Sequence, residues 1–183
     1  MAATYLCAGA VTGGSIELTK ANPAHMGAIL SLLEDTGARI TAKDDRIYLA
    51  APDKIRPVKL LRTMPYPGFP TDAQALVTAL LCVADGTSVV EETIFENRFK
   101  HCGELSRMGA NITTRGRIAV IRGVEKLYGA HVEAMELRGG AALVIAGLCA
   151  EGRTVVSGTG HIDRGYDTLV QDMQALGASI TKK

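Results

Sequence analysis

Tryptophan is absent, and aromatic residues make up only 4% of the 183 residues. A surface that stacks nucleic-acid bases needs more than that. A net charge of +1 provides no long-range field toward a polyanion or an acidic membrane. The four cysteines (Cys7, Cys82, Cys102, Cys149) stand far apart, with no CxxC pair and no metal-ligand spacing. Cys82 and Cys149 fall in apolar helical segments, where a buried, inert thiol is expected. His101-Cys102 is the one adjacent His/Cys pair. No apolar run reaches the length of a membrane span and no signal-peptide pattern is seen, so a cytoplasmic, reducing setting is expected. Neither a metal nor a cofactor is expected.

What the sequence does contain is a repeat. Three times an acid-Gly or Gly-Gly step precedes a short strand, an amphipathic helix ending in Gly-Ala, and another strand. The steps are Gly13-Gly14-Ser15, Asp85-Gly86-Thr87 and Glu151-Gly152-Arg153; the helix ends are Gly37-Ala38, Gly109-Ala110 and Gly177-Ala178. Step glycine and helix-end glycine lie 23, 23 and 25 residues apart, and successive helix ends 72 and 68 apart. Such a period indicates one supersecondary unit used three times. The units cover about residues 1–60, 61–128 and 129–183, in one domain that should bury roughly 70% of its unfolded surface.

Two kinds of helix alternate. Asp72–Ala84 and Leu137–Ala150 are apolar nearly all round, which demands burial on every side, and Tyr5–Val11 reads as the end of a third. The second helix of each unit is one-sided: Met26, Ile29, Leu30 and Leu33; Phe99, Cys102, Leu105 and Met108; Leu169, Val170, Met173 and Leu176. The strands after them alternate, with Ile40, Ala42, Ile47 and Leu49, then Ile112, Ile118 and Val120, expected inward. The predicted fold is α/β, built of three βαβαββ-type units as a pseudo-threefold, inside-out α/β barrel with central buried helices. Unit one lacks a leading strand and unit three stops near Ile180 after one of its two final strands. A partner strand, and a further domain, are expected from elsewhere.

Function is sought where the units differ. Unit two enters its buried helix through Met64-Pro65-Tyr66-Pro67-Gly68-Phe69-Pro70-Thr71-Asp72, which holds three of the six prolines and stiffens the approach. Thr71 and Gln74 fit a capping box. Asp72 is then either a first-turn acid favoured by the helix dipole or a carboxylate held as a general base. Units two and three carry an acid and an arginine at the next helix start, in Glu96-Asn97-Arg98 and Asp163-Arg164. An ion pair or an Asp163 N-cap accounts for these, as does an anion site. Glu136-Leu137-Arg138 repeats the pattern, and Gly139-Gly140 permits close backbone approach.

Tyr66-Pro-Gly-Phe-Pro-Thr-Asp72, Glu92-Thr-Ile-Phe-Glu-Asn-Arg-Phe99, Glu104-Leu-Ser-Arg-Met-Gly-Ala110 and His161-Ile-Asp-Arg-Gly-Tyr166 resemble the UDP-N-acetylglucosamine enolpyruvyl transferases, over essentially the whole chain. The sister family acting on shikimate 3-phosphate shares the fold without these strings. The resemblance implies the C-terminal half of a two-domain enzyme. That enzyme moves the enolpyruvyl group of phosphoenolpyruvate to the 3-hydroxyl of UDP-N-acetylglucosamine, the first committed step of peptidoglycan synthesis. It implies that Asp72 takes the hydroxyl proton and that Ile94 contacts the UDP-sugar, largely through backbone. Arg138 and Arg164 would hold the phosphoenolpyruvate phosphate and carboxylate. The family usually shows Asp-Leu-Arg where Glu136-Leu137-Arg138 stands, and small non-Gly residues in place of Gly139-Gly140. Its reactive Cys loop lies in the other domain, and none of the four cysteines here matches it. The chain alone is therefore expected to be inactive. Two other readings are a non-catalytic ligand-binding or scaffold domain, and a nucleic-acid end-processing enzyme, which the charge and missing aromatics oppose.

Overall fold

The computed structural model describes residues 1–182. Helix α1 (Ala2–Val11) leads into β1 (Ser15–Leu18), a 3-10 turn at Pro23–His25, α2 (Gly27–Asp35), β2 (Arg39–Lys43) and β3 (Arg46–Ala50). Then follow β4 (Leu61–Arg62), α3 (Thr71–Leu81), β5 (Thr87–Glu91), α4 (Lys100–Arg107), β6 (Asn111–Arg115) and β7 (Ile118–Arg122). The last third comprises β8 (His131–Glu133), α5 (Leu137–Cys149), β9 (Val155–Ser157), α6 (Gly160–Asp163) and α7 (Leu169–Ala175).

The strands form three sheets, ordered β1-β3-β2, β4-β5-β7-β6 and β8-β9. The β4/β5 and β8/β9 pairs are parallel, and their crossovers are α3 and α5; parallel neighbours require such a connection. The other pairs are antiparallel, with β2/β3 and β6/β7 as hairpins and β1 and β5 laid beside β3 and β7. Helices α1, α3 and α5 pack on one another. Every residue from Ala73 to Leu81 of α3 is buried, as is every residue from Gly139 to Ala146 of α5. These are the segments without a polar face, and their Ala and Gly content lets the helices approach closely. At Gly140, α5 also lies close against α6 and the segment that leads into α5: a Cβ there would lie 2.6 Å from Ile162 Cγ1 and 2.8 Å from Ala134 Cβ. The helix-end glycines adopt the left-handed conformation that ends a helix, with φ of +100°, +92° and +95° at Gly37, Gly109 and Gly177.

Several sequence expectations are corrected. In β7 the inward residues are Ala119 and Ile121, both 0% exposed, while Ile118 is 42% exposed. The alternation is right but shifted by one, which turns every side chain to the other face; the Arg115–Ile118 hairpin pairing sets that register. Leu176 is 56% exposed: α7 ends at Ala175, and Leu176 is its C-cap residue, beyond the turns that bury Leu169 and Met173. Residues 178–182 form no strand; among the described residues no strand pairs with them, and Gln174 Nε2 donates to the Ile180 carbonyl. The predicted capping box does not form either. Pro70 occupies the N-cap of α3 and offers no side-chain cap. Thr71 lies inside the helix, and Gln74 donates to Thr78 Oγ1. Asp163 is the last residue of α6 rather than its N-cap, and pairs with Lys182 at 2.7 Å.

Candidate active site

Asp72 sits in the first turn of α3, at the end of the proline-rich approach. Its side chain is 60% exposed, yet both carboxylate oxygens are engaged. Arg98 Nη2 donates to Oδ1 at 3.2 Å and Arg138 Nη2 to Oδ2 at 3.0 Å. Arg98 comes from the segment before α4, and Arg138 from the first turn of α5. Three residues separated widely in sequence thus meet because α3 and α5 pack side by side and α4 packs on α5.

Each guanidinium is itself held from behind. Arg138 Nη1 donates to the Tyr166 hydroxyl at 3.1 Å, and the guanidinium lies 5.7 Å from that ring's centroid. Tyr166 is 2% exposed, and its hydroxyl is 2.7 Å from Thr4 Oγ1 of α1. Burial opposes the Arg138 charge, but the bonds to Tyr166 and Asp72 outweigh it and hold its pKa above the ordinary arginine value. Arg98 lies 5.2 Å from the Phe95 centroid, and its Nη1 is 3.8 Å from Glu136 Oε2. Glu136 occupies the N-cap position of α5 without a side-chain cap. Its Oε1 is buried with no partner among the described residues. Partly exposed ion pairs contribute little stability. What this arrangement supplies is orientation: two planar donor forks aimed at one place, suited to a carboxylate or phosphate. Beside Asp72 and Arg138 a recess of about 240 Å³ opens, walled by Ile29, Pro70, Ala73 and Leu76.

The Ile94 segment is shaped by Glu92. This carboxylate is 1% exposed and accepts four hydrogen bonds. Thr63 Oγ1 (2.8 Å), Ile94 N (2.9 Å) and Phe95 N (3.2 Å) donate to Oε1, and Thr71 Oγ1 donates to Oε2 at 2.8 Å. Burial alone would raise its pKa; the donors from Thr71, Ile94, Thr63 and Phe95 reverse that and lower it. With its N–H committed to Glu92, Ile94 can offer a ligand its carbonyl.

Of the four predicted site residues, the structure brings Asp72 and Arg138 into contact. Ile94 is linked to the start of α3 through Glu92. Arg164 is exposed and makes no ion pair or side-chain hydrogen bond among the described residues. It is the C-cap residue after α6, on the loop that carries Tyr166, next to the first turn of α5, where a Cβ at Gly165 would lie 2.9 Å from Leu137 Cδ2. Sequence reasoning missed Arg98 as a partner of Asp72, although it had marked the junction. It also missed Tyr166 and Glu92, which lie inside quoted motifs but whose roles depend on contacts across the fold. The cysteines supply no nucleophile. Burial pushes Cys7 and Cys102 up to about 12, Cys149 to about 11 and Cys82 higher still, far from the thiolate form.

Known proteins show what this architecture accompanies. The family model described as EPSP synthase (3-phosphoshikimate 1-carboxyvinyltransferase) matches residues 1–173. The chain belongs to the EPSP synthase family. Among relatives in this family, the UDP-N-acetylglucosamine 1-carboxyvinyltransferase 2 of Caldanaerobacter subterraneus subsp. tengcongensis is 50% identical over 182 residues, covering 100% of this chain and 44% of that protein. The UDP-N-acetylglucosamine 1-carboxyvinyltransferase of Novosphingobium aromaticivorans is 50% identical over 181 residues, covering 99% and 42%. The chain thus spans less than half the length of these relatives. The enolpyruvyl transferase NikO from Streptomyces tendae superposes with a TM-score of 0.90 at 27% identity, covering 98% of this chain and 43% of that one. EPSP synthase from Acinetobacter baumannii, at 18% identity and a TM-score of 0.81, shares the fold. Among the described residues no helix is long and apolar enough to cross a membrane.

Proposed function

We propose that this chain is a catalytic portion of an enolpyruvyl transferase that uses phosphoenolpyruvate and UDP-N-acetylglucosamine, in the cytoplasmic stage of peptidoglycan synthesis. The observation that carries the reading is the Asp72 carboxylate held between two guanidiniums beside an open recess. Transfer to a hydroxyl removes its proton, forms a bond from that oxygen to C2 of phosphoenolpyruvate, and releases inorganic phosphate. A base beside the hydroxyl and cations beside the phosphate are what such a reaction needs. Asp72 is the base. Arg138, with Arg164 on the neighbouring loop, receives the phosphoenolpyruvate anion. The Ile94 carbonyl contacts the UDP-sugar.

The proposed architecture is a single domain over 1–183, with three units of about 1–60, 61–128 and 129–183 arranged around a pseudo-threefold axis with α1, α3 and α5 innermost. A second domain, of the kind the relatives' greater length allows, supplies the reactive Cys loop and closes the cleft against water. The chain alone is then inactive. The test is phosphate release from phosphoenolpyruvate by a full-length enzyme carrying this chain. UDP-N-acetylglucosamine as acceptor should support release, and shikimate 3-phosphate should not. The opposite preference overturns the proposal.

A further inference from the structure

We infer that Glu92 is a positioning residue that fixes the base Asp72 relative to the sugar-contacting segment at Ile94; this rests on the function proposed above. The two site segments come from different places in the fold. Ile94 follows the end of β5, while Asp72 follows the proline-rich entry to α3. Glu92 joins them with one buried side chain. Its Oε1 gathers the Ile94 and Phe95 amides, so the segment after β5 turns back around the carboxylate. Its Oε2 takes the hydroxyl of Thr71, the residue immediately before Asp72. A third donor, Thr63 Oγ1, comes from the residue following β4 and itself accepts from Thr93 N at 2.9 Å. Both entry segments are thereby clamped to the same carboxylate.

The stabilising contribution of such a clamp could be supplied by many buried contacts. What sets this one apart is placement. The pseudo-capping position that would anchor Thr71 to its own helix is unused, since Pro70 is the N-cap and Gln74 turns to Thr78. The Thr71 hydroxyl is spent instead on the Ile94 segment. Four donors converging on one side chain suit a carboxylate, which only accepts. A carboxamide of the same shape can keep the Oε1 bonds and donate to Thr71 Oγ1, because a hydroxyl both donates and accepts. Positioning is thus a property of shape and reach, not of proton transfer.

The test uses a full-length enzyme carrying this chain and four variants. Thr71→Val removes only the Glu92–Thr71 link and keeps side-chain volume. It should lower kcat by roughly 10–100-fold, the scale of a 1 Å misplacement of a reacting group, while UDP-N-acetylglucosamine affinity changes little; the denaturation midpoint should also fall, because Glu92 Oε2 is left buried without its donor. Glu92→Ala should lower kcat and also weaken UDP-N-acetylglucosamine binding, since the Ile94 segment loses its anchor. Glu92→Gln should restore both toward wild type with an unshifted pH profile. Asp72→Asn separates this inference from the reading beneath it. If Asp72→Asn is inactive while Thr71→Val keeps kcat within about twofold, Glu92 is merely structural and only this inference falls. Loss of kcat in Glu92→Gln equal to that in Glu92→Ala also overturns it, because the charge rather than the reach would then matter. A fully active Asp72→Asn variant overturns both.

Discussion

Replacing Gly140 by alanine is a sharp probe of how α5 is seated. In most helices this change stabilises, because glycine costs up to about 1 kcal/mol relative to alanine in a helix interior. Here the new Cβ would sit 2.6 Å from Ile162 Cγ1 and 2.8 Å from Ala134 Cβ, where carbon atoms prefer about 3.5–4.0 Å. Ile162 can rotate, but Ala134 Cβ moves only with its backbone, so α5 must shift by something near an ångström. Overpacking of this kind costs about 1–3 kcal/mol, and with two contacts below 3 Å the upper half of that range applies. After the propensity gain, a net loss of about 1–2 kcal/mol is expected. Gly103, in the exposed interior of α4 with nothing within 4 Å of its Cβ position, is the internal control. Gly103→Ala should stabilise by about 0.5–1 kcal/mol. Urea denaturation of both variants reads the difference directly, provided the m-value is unchanged. A Gly140→Ala variant as stable as wild type or more so would refute the close packing of α5 against α6 and Ala134, and with it the seating of Arg138 against Tyr166.

Two further outcomes are expected. Burial, with the Arg98 charge adding to it, lowers His101 from 6.5 to about 4. The unfolded chain therefore binds the extra proton first: this contribution to stability is fully present above pH 6.5 and is lost as pH falls toward 4, by about 3 kcal/mol. Denaturation midpoints of wild type and His101→Gln across that window check it, and parallel profiles would contradict it. Arg164→Lys, which keeps the charge but not the two-point fork, should raise the KM for phosphoenolpyruvate in a full-length enzyme with little change for UDP-N-acetylglucosamine; an unchanged KM would leave Arg164 as a surface residue.

Much of this was legible from the sequence because it depends on local pattern. Helices α3 and α5 announce their burial by lacking any polar face, and Gly37, Gly109 and Gly177 mark helix ends by the conformation only glycine adopts freely. The stiff entry to α3 and the charged helix starts likewise marked Asp72 and Arg138, which the fold brings into contact, whereas Arg164, marked in the same way, stands apart from that pair. What was not legible is what depends on distant partners. Thr71 and Gln74 satisfy a capping pattern, but a buried Glu92, 21 residues beyond Thr71, competes for the hydroxyl and wins. Arg98 reads as a partner for its neighbour Glu96, whereas it reaches Asp72, and Arg117 takes Glu96 instead. In β7 the alternation gives the period but not the phase; Ala119 points inward because the hairpin with β6 fixes the register, and its small side chain gave no hydrophobic signal.

The most direct test of the account is the turnover of Asp72→Asn in a full-length enzyme carrying this chain, measured as phosphate release with UDP-N-acetylglucosamine binding followed in parallel. Asparagine keeps the shape, and its one carbonyl oxygen can accept from Arg98 or Arg138 but not from both as the two carboxylate oxygens do; it cannot take a proton from the sugar hydroxyl. A fall in kcat of about 10²–10⁴-fold is predicted, with the UDP-sugar still bound. Turnover near that of wild type would contradict the assignment of Asp72 as the base and reduce it to a carboxylate braced between two arginines.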